Sequence, residues 1–179
     1  MRLVIIGYGY SSAAVVHALA GGWESLTVTV RSGEKAARLA AEGIPAVVFD
    51  GSGITEPLAE ALKVATHLVM SAPPGEAGDP FLNALESAGL ALPALKRVIY
   101  LSTVGVYGDH GGAWVDETAP LRPVSLRSRQ RVAAEVAWQD FARARGVDLG
   151  IFRLSGIYGP GRSAIDNLRA GTARRIVKP

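Results

Sequence analysis

Apolar residues fall in six short blocks along the chain, at residues 3–6, 26–30, 46–49, 67–71, 96–101 and 148–154. The first reads Leu-Val-Ile-Ile and the second Leu-Thr-Val-Thr-Val. Runs this short and this rich in β-branched side chains predict strands, the first of them buried. The stretches between them predict helices over residues 12–20, 33–42, 56–62, from Asp79 through 88, from Ser125 to about Gly146, and over 163–170. Asp79 is suited to cap its helix, with Pro80 at the first helical position. The helix beginning at Ser125 is expected to bury Val132, Ala133, Val136, Ala137, Phe141 and Ala144. Strands alternating with helices through right-handed crossovers predict an α/β fold, an open, doubly wound, mostly parallel six-stranded sheet in the order 3-2-1-4-5-6.

The first strand runs straight into Gly7-Tyr8-Gly9-Tyr10-Ser11-Ser12. Gly7 permits a sharp turn, and Gly9 lets the backbone approach a pyrophosphate held against the amides at a helix N-terminus, which makes the fold Rossmann-like. Ser12 stands where a third glycine normally allows close helix–strand packing, so a slightly wider separation is expected there. Arg31 and Ser32 close the second strand about 20 residues beyond the glycines, where an acid reads the ribose 2′-hydroxyl or an arginine accommodates a 2′-phosphate. With arginine present and the acid absent, NADP is favoured over NAD. Asp50, at the end of the third strand, either caps a turn or bonds an adenine amine. Ser71, Ala72 and Pro73 follow the fourth strand, close to where a cofactor crosses the reversal of strand order. The fifth strand delivers Ser102 and Thr103 to the same edge. A loop at 104–123 follows, long enough to be functional or disordered.

A chain of 179 residues, 49% hydrophobic and 20% charged, supports one substantial core. The absence of cysteine excludes a disulfide framework, thiolate metal sites and a thiol nucleophile. His17, His67 and His110 have no metal-ligand spacing, so no metal is expected. No signal peptide or membrane span is legible, and a cytoplasmic, membrane-free protein is expected. The net charge is +3, with arginines gathering from Arg122 to Arg175; lacking interleaved aromatics or a zinc-finger spacing, they do not argue for nucleic acid.

Taken jointly, several segments resemble the extended short-chain dehydrogenase/reductases, the superfamily of nucleotide-sugar epimerases and dehydratases, and most closely its atypical bacterial branches. They are the turn at residues 7–12, Leu-Ser-Thr-Val-Gly-Val-Tyr-Gly at 101–108, Asp116-Glu117 with Pro120 and Pro123, residues 131–135, and Arg-Leu-Ser-Gly-Ile-Tyr-Gly-Pro-Gly at 153–161. The resemblance covers essentially the whole chain. It implies a bound NAD(P) with its nicotinamide over the end of the fifth strand. The implied cofactor contacts are Gly7, Tyr8, Gly9, Tyr10, Ser11, Ser12, Arg31, Ser32, Asp50, Ser71, Ala72, Pro73, Arg131 and Ser155. It also implies an unidentified small-molecule substrate held mostly by a C-terminal portion. Residues 1–162 are then a dinucleotide-binding domain, and 163–179, a short helix and basic tail, are expected to be only the start of that substrate portion. A homodimer is among the expected assemblies.

Thr103 matches the family's catalytic Ser/Thr, while Arg127 and Arg131 stand at the positions of its acid/base tyrosine and its lysine. A guanidinium has only donors and a pKa above about 12, so it neither takes nor gives the proton that accompanies hydride transfer. Arg131 retains donors for the nicotinamide ribose. The two arginines form a like-charged i,i+4 pair, either bridged by an anion or simply solvated. Tyr107, His110, Asp116 and Glu117 are the other proton carriers nearby, with structural roles the better expectation for each. Two functions therefore stand side by side: an epimerase, dehydratase or reductase on a sugar-like or carbonyl substrate, and a dinucleotide-binding or regulatory protein that has lost the chemistry.

Overall fold

The computed structural model describes residues 1–174. Six strands, β1 (Arg2–Ile6), β2 (Ser25–Val30), β3 (Ala46–Val48), β4 (His67–Met70), β5 (Arg97–Thr103) and β6 (Asp148–Leu154), alternate with α1 (Tyr10–Ala18), α2 (Gly33–Ala41), α3 (Glu56–Val64), α4 (Pro80–Ala88) and α5 (Leu126–Arg145). A short 3₁₀ turn, Val104–Val106, follows β5, and α6 (Ala164–Arg169) follows β6. The sheet is wholly parallel in the order β3-β2-β1-β4-β5-β6, as the alternation of strands and helices predicts. The basic tail expected at the chain end lies, from Arg175 on, outside the described residues.

Both faces of the sheet are used, and the period-2 alternation of strand side chains decides which residue goes where. Val4, Ile6, Leu68, Met70, Val98 and Tyr100 pack under α3, α4 and α5, against Leu58, Leu62, Phe81, Leu85 and Trp138. Leu3, Ile5, Val28, Val30 and Val69 face the other way, against Val16 of α1 and Leu39 of α2. Over β5 and β6 this second face is thinly covered: Ile99 and Leu101 are half-buried and Phe152 is exposed.

Helix ends follow the local sequence. The Asp79 carboxylate accepts from the amides of Phe81 and Leu82 at 2.9 and 3.2 Å, the expected cap, with Pro80 just inside. Asp79 is buried, and its other oxygen accepts from the Trp138 indole N–H at 3.0 Å, which ties α4 to α5. Ser125 caps α5 through the Ser128 amide, and Gly146, in the left-handed region, ends it.

The buried face of α5 is rotated from the expected one, with Phe141 buried in both. Ala134, Glu135, Trp138, Phe141 and Ala142 are buried, whereas Ala133, Val136 and Ala144 are exposed. Ala134, Trp138, Phe141 and Ala142 recur at i, i+4, i+7 and i+8, so the stripe that carries the two aromatics goes inside, and Glu135 goes with it because its carboxylate has a partner there.

Candidate functional site

At the carboxyl end of β1 the chain reverses in a turn pinned by short polar side chains. Gly7 adopts φ +92°, and a Cβ there would lie 2.8 Å from the Ala72 nitrogen, so both conformation and space require glycine. The Gly7 amide donates to the Thr29 hydroxyl at 2.8 Å, and the Ser12 hydroxyl donates to the Gly7 carbonyl at 2.8 Å. Ser12 is fully buried, so it occupies the third-glycine position by satisfying its hydroxyl on the turn itself. Gly9, the N-cap of α1, provides no side-chain cap, and a Cβ built on it meets nothing within 4 Å. The first amides of α1 have no carbonyl of their own helix to bond and the space above Gly9 is open, the setting in which a helix N-terminus takes an anion.

A cavity of about 620 Å³ runs from this turn along the ends of β2, β3 and β4. Among its lining residues are Gly7, Tyr8, Gly9, Arg31, Ser32, Asp50, Ser71, Ala72 and Pro73, all of them named by sequence. Tyr10, Ser11, Ser12, Arg131 and Ser155 do not line it. Arg31 and Ser32 are exposed, and Ser32 caps α2 by accepting from the Lys35 amide. Lys35 also lines the cavity, with Nζ donating to the Tyr8 carbonyl at 2.7 Å. Sequence reasoning passed over it, although Arg31 and Lys35 flank the strand-to-helix junction four residues apart. The Asp50 carboxylate accepts from the hydroxyl and amide of Ser52 at 2.7 and 2.9 Å, and these bonds hold its pKa below the ordinary carboxylate value. Asp50 thus caps its own turn, the first of the two uses expected of it.

The other half of the sheet edge is built differently. Thr103 ends β5, half-buried, with its hydroxyl oxygen accepting from the Gly105 amide at 3.2 Å. Arg127 is exposed at the start of α5. Arg131 turns inward and donates to the Leu101 carbonyl at 2.8 Å and to the Tyr100 hydroxyl at 3.3 Å, with its guanidinium 5.7 Å from the Tyr100 ring. The two arginines are therefore not an equivalent solvated pair, because a backbone carbonyl and a phenol hold one of them. Burial raises the Tyr100 pKa, partly offset by Arg131.

Three of the four alternative proton carriers, Tyr107, His110 and Asp116, are engaged in structure through their side chains. Tyr107 is buried and its hydroxyl accepts from Arg153 at 3.0 Å. His110 Nε2 lies 3.1 Å from the Tyr107 carbonyl and 3.2 Å from the Pro120 carbonyl; facing two acceptors, that nitrogen carries the proton. Asp116 accepts from the hydroxyl and amide of Thr118, which lowers its pKa and keeps it ionised. Glu117 supplies a backbone carbonyl to Arg153 at 3.4 Å.

Behind them lies a network missed from sequence. Arg153 meets Glu135 through Nη2–Oε2 at 2.8 Å, and the Ser102 hydroxyl donates to the same carboxylate. The Glu135 side chain is 2% exposed and that of Arg153 16%. The Glu135 hydrogen bonds raise the Arg153 pKa further, so the guanidinium stays charged. A second hollow, about 760 Å³, opens beside this network between α5, β6 and residues 104–117, and Thr103 is not in its lining. Among the described residues no cluster of His, Cys, Asp and Glu could hold a metal ion, and no helix is long and apolar enough to cross a membrane.

The profile of the NAD dependent epimerase/dehydratase family matches residues 79–178. A functionally unknown conserved protein from Silicibacter pomeroyi DSS is similar over 99% of this chain and 60% of its own, with 39% identity and a TM-score of 0.82. The chain belongs to the NAD dependent epimerase/dehydratase family. UDP-glucuronic acid 4-epimerase from Bacillus cereus in complex with NAD, at 18% identity, shares the fold with a TM-score of 0.71 over 94% of this chain and 61% of its own. dTDP-glucose 4,6-dehydratase from Bacillus anthracis str. Ames in complex with NAD, also at 18%, aligns over 94% and 61% with a TM-score of 0.70. The chain thus spans about 60% of the length of these relatives. No curated protein sequence matches it. For this family a glycine turn with free helix amides and an open cavity beside it fits a dinucleotide: the donor set suits phosphates, and nothing fills the space above Gly9.

Proposed function

We propose that the chain is an NADP-binding member of the family, with residues 1–162 as the cofactor-binding unit and Thr103 as the residue that orients the oxygen of a sugar-like or carbonyl substrate. The observation that carries the cofactor reading is the end of β2, where Arg31, Ser32 and Lys35 line one cavity and no carboxylate stands at the strand's last residue. A 2′-phosphate there meets two cations and a hydroxyl, whereas a bare ribose finds no acid at the strand end, the Asp50 carboxylate across the cavity being engaged by Ser52. When bound, the cofactor brings a nicotinamide ring able to give or take a hydride. The chain's own part is to hold the phosphates on α1, the adenosine end on Arg31 and Lys35, and the substrate oxygen on Thr103.

Calorimetric titration with NADPH and NADH tests the first part. NADPH is expected to bind more tightly, and Arg31→Glu to weaken NADPH by tenfold or more while changing NADH little. Binding of neither at millimolar concentration overturns the cofactor reading, and equal weakening of both removes Arg31 from the 2′-phosphate.

A specific observation supports a second reading, a dinucleotide-binding protein without turnover. Arginines replace the proton-transfer pair, and Tyr107, His110 and Asp116 are each committed to a structural bond. Hydride transfer measured over a panel of epimerase and reductase substrates, with Thr103→Ala as control, separates the two. Turnover lost in Thr103→Ala supports the enzyme; turnover indifferent to it overturns the role of Thr103. No turnover in the wild type leaves the binding protein.

A further inference from the structure

The loop after β6 does not trail away from the sheet. Gly159 and Arg162 exchange backbone hydrogen bonds of 3.0 and 2.9 Å, closing a tight turn around Pro160 and Gly161. This turn returns to the first helix: the Tyr10 hydroxyl donates to the Pro160 carbonyl at 3.2 Å, and the Arg162 guanidinium carbon lies 5.4 Å from the Tyr10 ring centroid. The approach is close enough that a Cβ on Gly159 would fall 2.3 Å from the Tyr10 hydroxyl oxygen. A contact between residues 150 positions apart therefore depends on glycine at 159.

Its place in the fold gives the contact meaning. Tyr10 opens α1, directly after Gly9, beside the amides that the reading above assigns to the phosphates. In the sheet, β4 and β5 lie between β1 and β6, so a bridge from the start of α1 to the loop after β6 spans their carboxyl ends, between the adenosine cavity and Thr103. Arg162 arrives there on an exposed turn, takes part in none of the ion pairs among the described residues, and rests on an aromatic face. A planar guanidinium so placed presents its fork of donors to phosphate oxygens with little orientational freedom left to lose.

We propose that the 159–162 turn is a clasp over the bound dinucleotide, with Arg162 binding its pyrophosphate opposite the α1 amides and Tyr10 the catch that holds the turn shut. The inference rests on the dinucleotide reading above. One hydrogen bond and one cation–aromatic contact hold the clasp, and both can be exchanged for water as the turn lifts to admit or release ligand.

Fragments of the cofactor separate this idea from the reading beneath it. ADP carries the diphosphate without a 2′-phosphate, and adenosine 2′-monophosphate carries the reverse. Calorimetry on Arg162→Ala is expected to show ADP and NADPH weakened about five- to tenfold, as for loss of an exposed charge-assisted bond, with adenosine 2′-monophosphate unchanged. Arg31→Glu should give the opposite pattern, and Arg162→Lys should recover part of the loss. Tyr10→Phe keeps the ring beneath Arg162 but removes the bond to Pro160, so NADPH should dissociate several-fold faster in stopped-flow displacement. Unchanged ADP affinity in Arg162→Ala overturns the proposal, as does equal weakening of adenosine 2′-monophosphate, which would make Arg162 a general support of the fold. Failure of the wild-type chain to bind NADPH and ADP sinks the dinucleotide reading instead.

Discussion

The β1–β2 end of the sheet edge and its β5–β6 end spend their polar groups in opposite ways. Around β1 and β2 the turn is shaped by backbone and by two hydroxyls, Thr29 and Ser12, so that Arg31 and Lys35 face an open cavity. Around β5 and β6 the charged groups satisfy one another: Arg153 on Glu135 and Tyr107, Arg131 on Leu101 and Tyr100. Even Lys35, which donates to the Tyr8 carbonyl, stays on the cavity wall, whereas a network that closes on itself fixes a loop in place. The first end leaves an open cavity, and the second ties residues 104–123 to the sheet through Tyr107 and the Glu117 carbonyl.

The sharpest way to break this contrast is to open the closed network. Glu135→Ala leaves a guanidinium largely buried without its partner and is expected to cost about 3–5 kcal/mol in urea denaturation, while a Glu135→Leu and Arg153→Met pair costs much less. A small effect of the single change would make the pair ornamental. Next in size, Gly7→Ala imposes a side chain at positive φ against the Ala72 nitrogen, for a loss of about 2–3 kcal/mol together with the loss of calorimetric NADPH binding. Thr29→Val removes the acceptor of the Gly7 amide and should cost about 1–2 kcal/mol by the same denaturation. The smallest effect separates the two arginines of α5. Arg127→Ala should stay within about 0.5 kcal/mol of the wild type, and Arg131→Ala should exceed that, since only Arg131 is tied to β5. Equal values for the two would return them to a simple solvated pair.

Most of the fold was legible because its signals are local. Blocks of β-branched residues, Asp79 before Pro80, Ser125 at the head of α5 and Gly146 at its end each act within a few residues, and strand order follows from the alternation of strands and helices. That the glycine turn, Arg31, Asp50 and Ser71–Pro73 gather at one edge of the sheet was legible for the same reason. What escaped depends on partners far along the chain. The pairing of Glu135 with Arg153 across the β5–β6 edge is one such case, since a glutamate on a helix reads as a solvated residue until its partner on β6 is known. Thr29 reads as an ordinary strand residue until its hydroxyl is seen beneath Gly7, and the contact of Tyr10 with the 159–162 turn joins residues 150 positions apart. Lys35 alone was within reach of spacing, one helical turn beyond Arg31.

Among the three tryptophans, Trp138 is fully buried, stacked on Phe81 and edge-on to Phe141, with its N–H held by the Asp79 carboxylate. Trp114 lies wholly in solvent, and Trp23 is half-buried beneath the opposite face of the sheet. The chain thus carries a built-in optical gauge. With Trp23 and Trp114 exchanged for phenylalanine, emission would come from one indole lodged between α4 and α5, short in wavelength while those helices stay docked and drifting to the red as they part. The same carboxylate that caps α4 would tune that signal, so a single wavelength reads out both the cap and the seam it fastens.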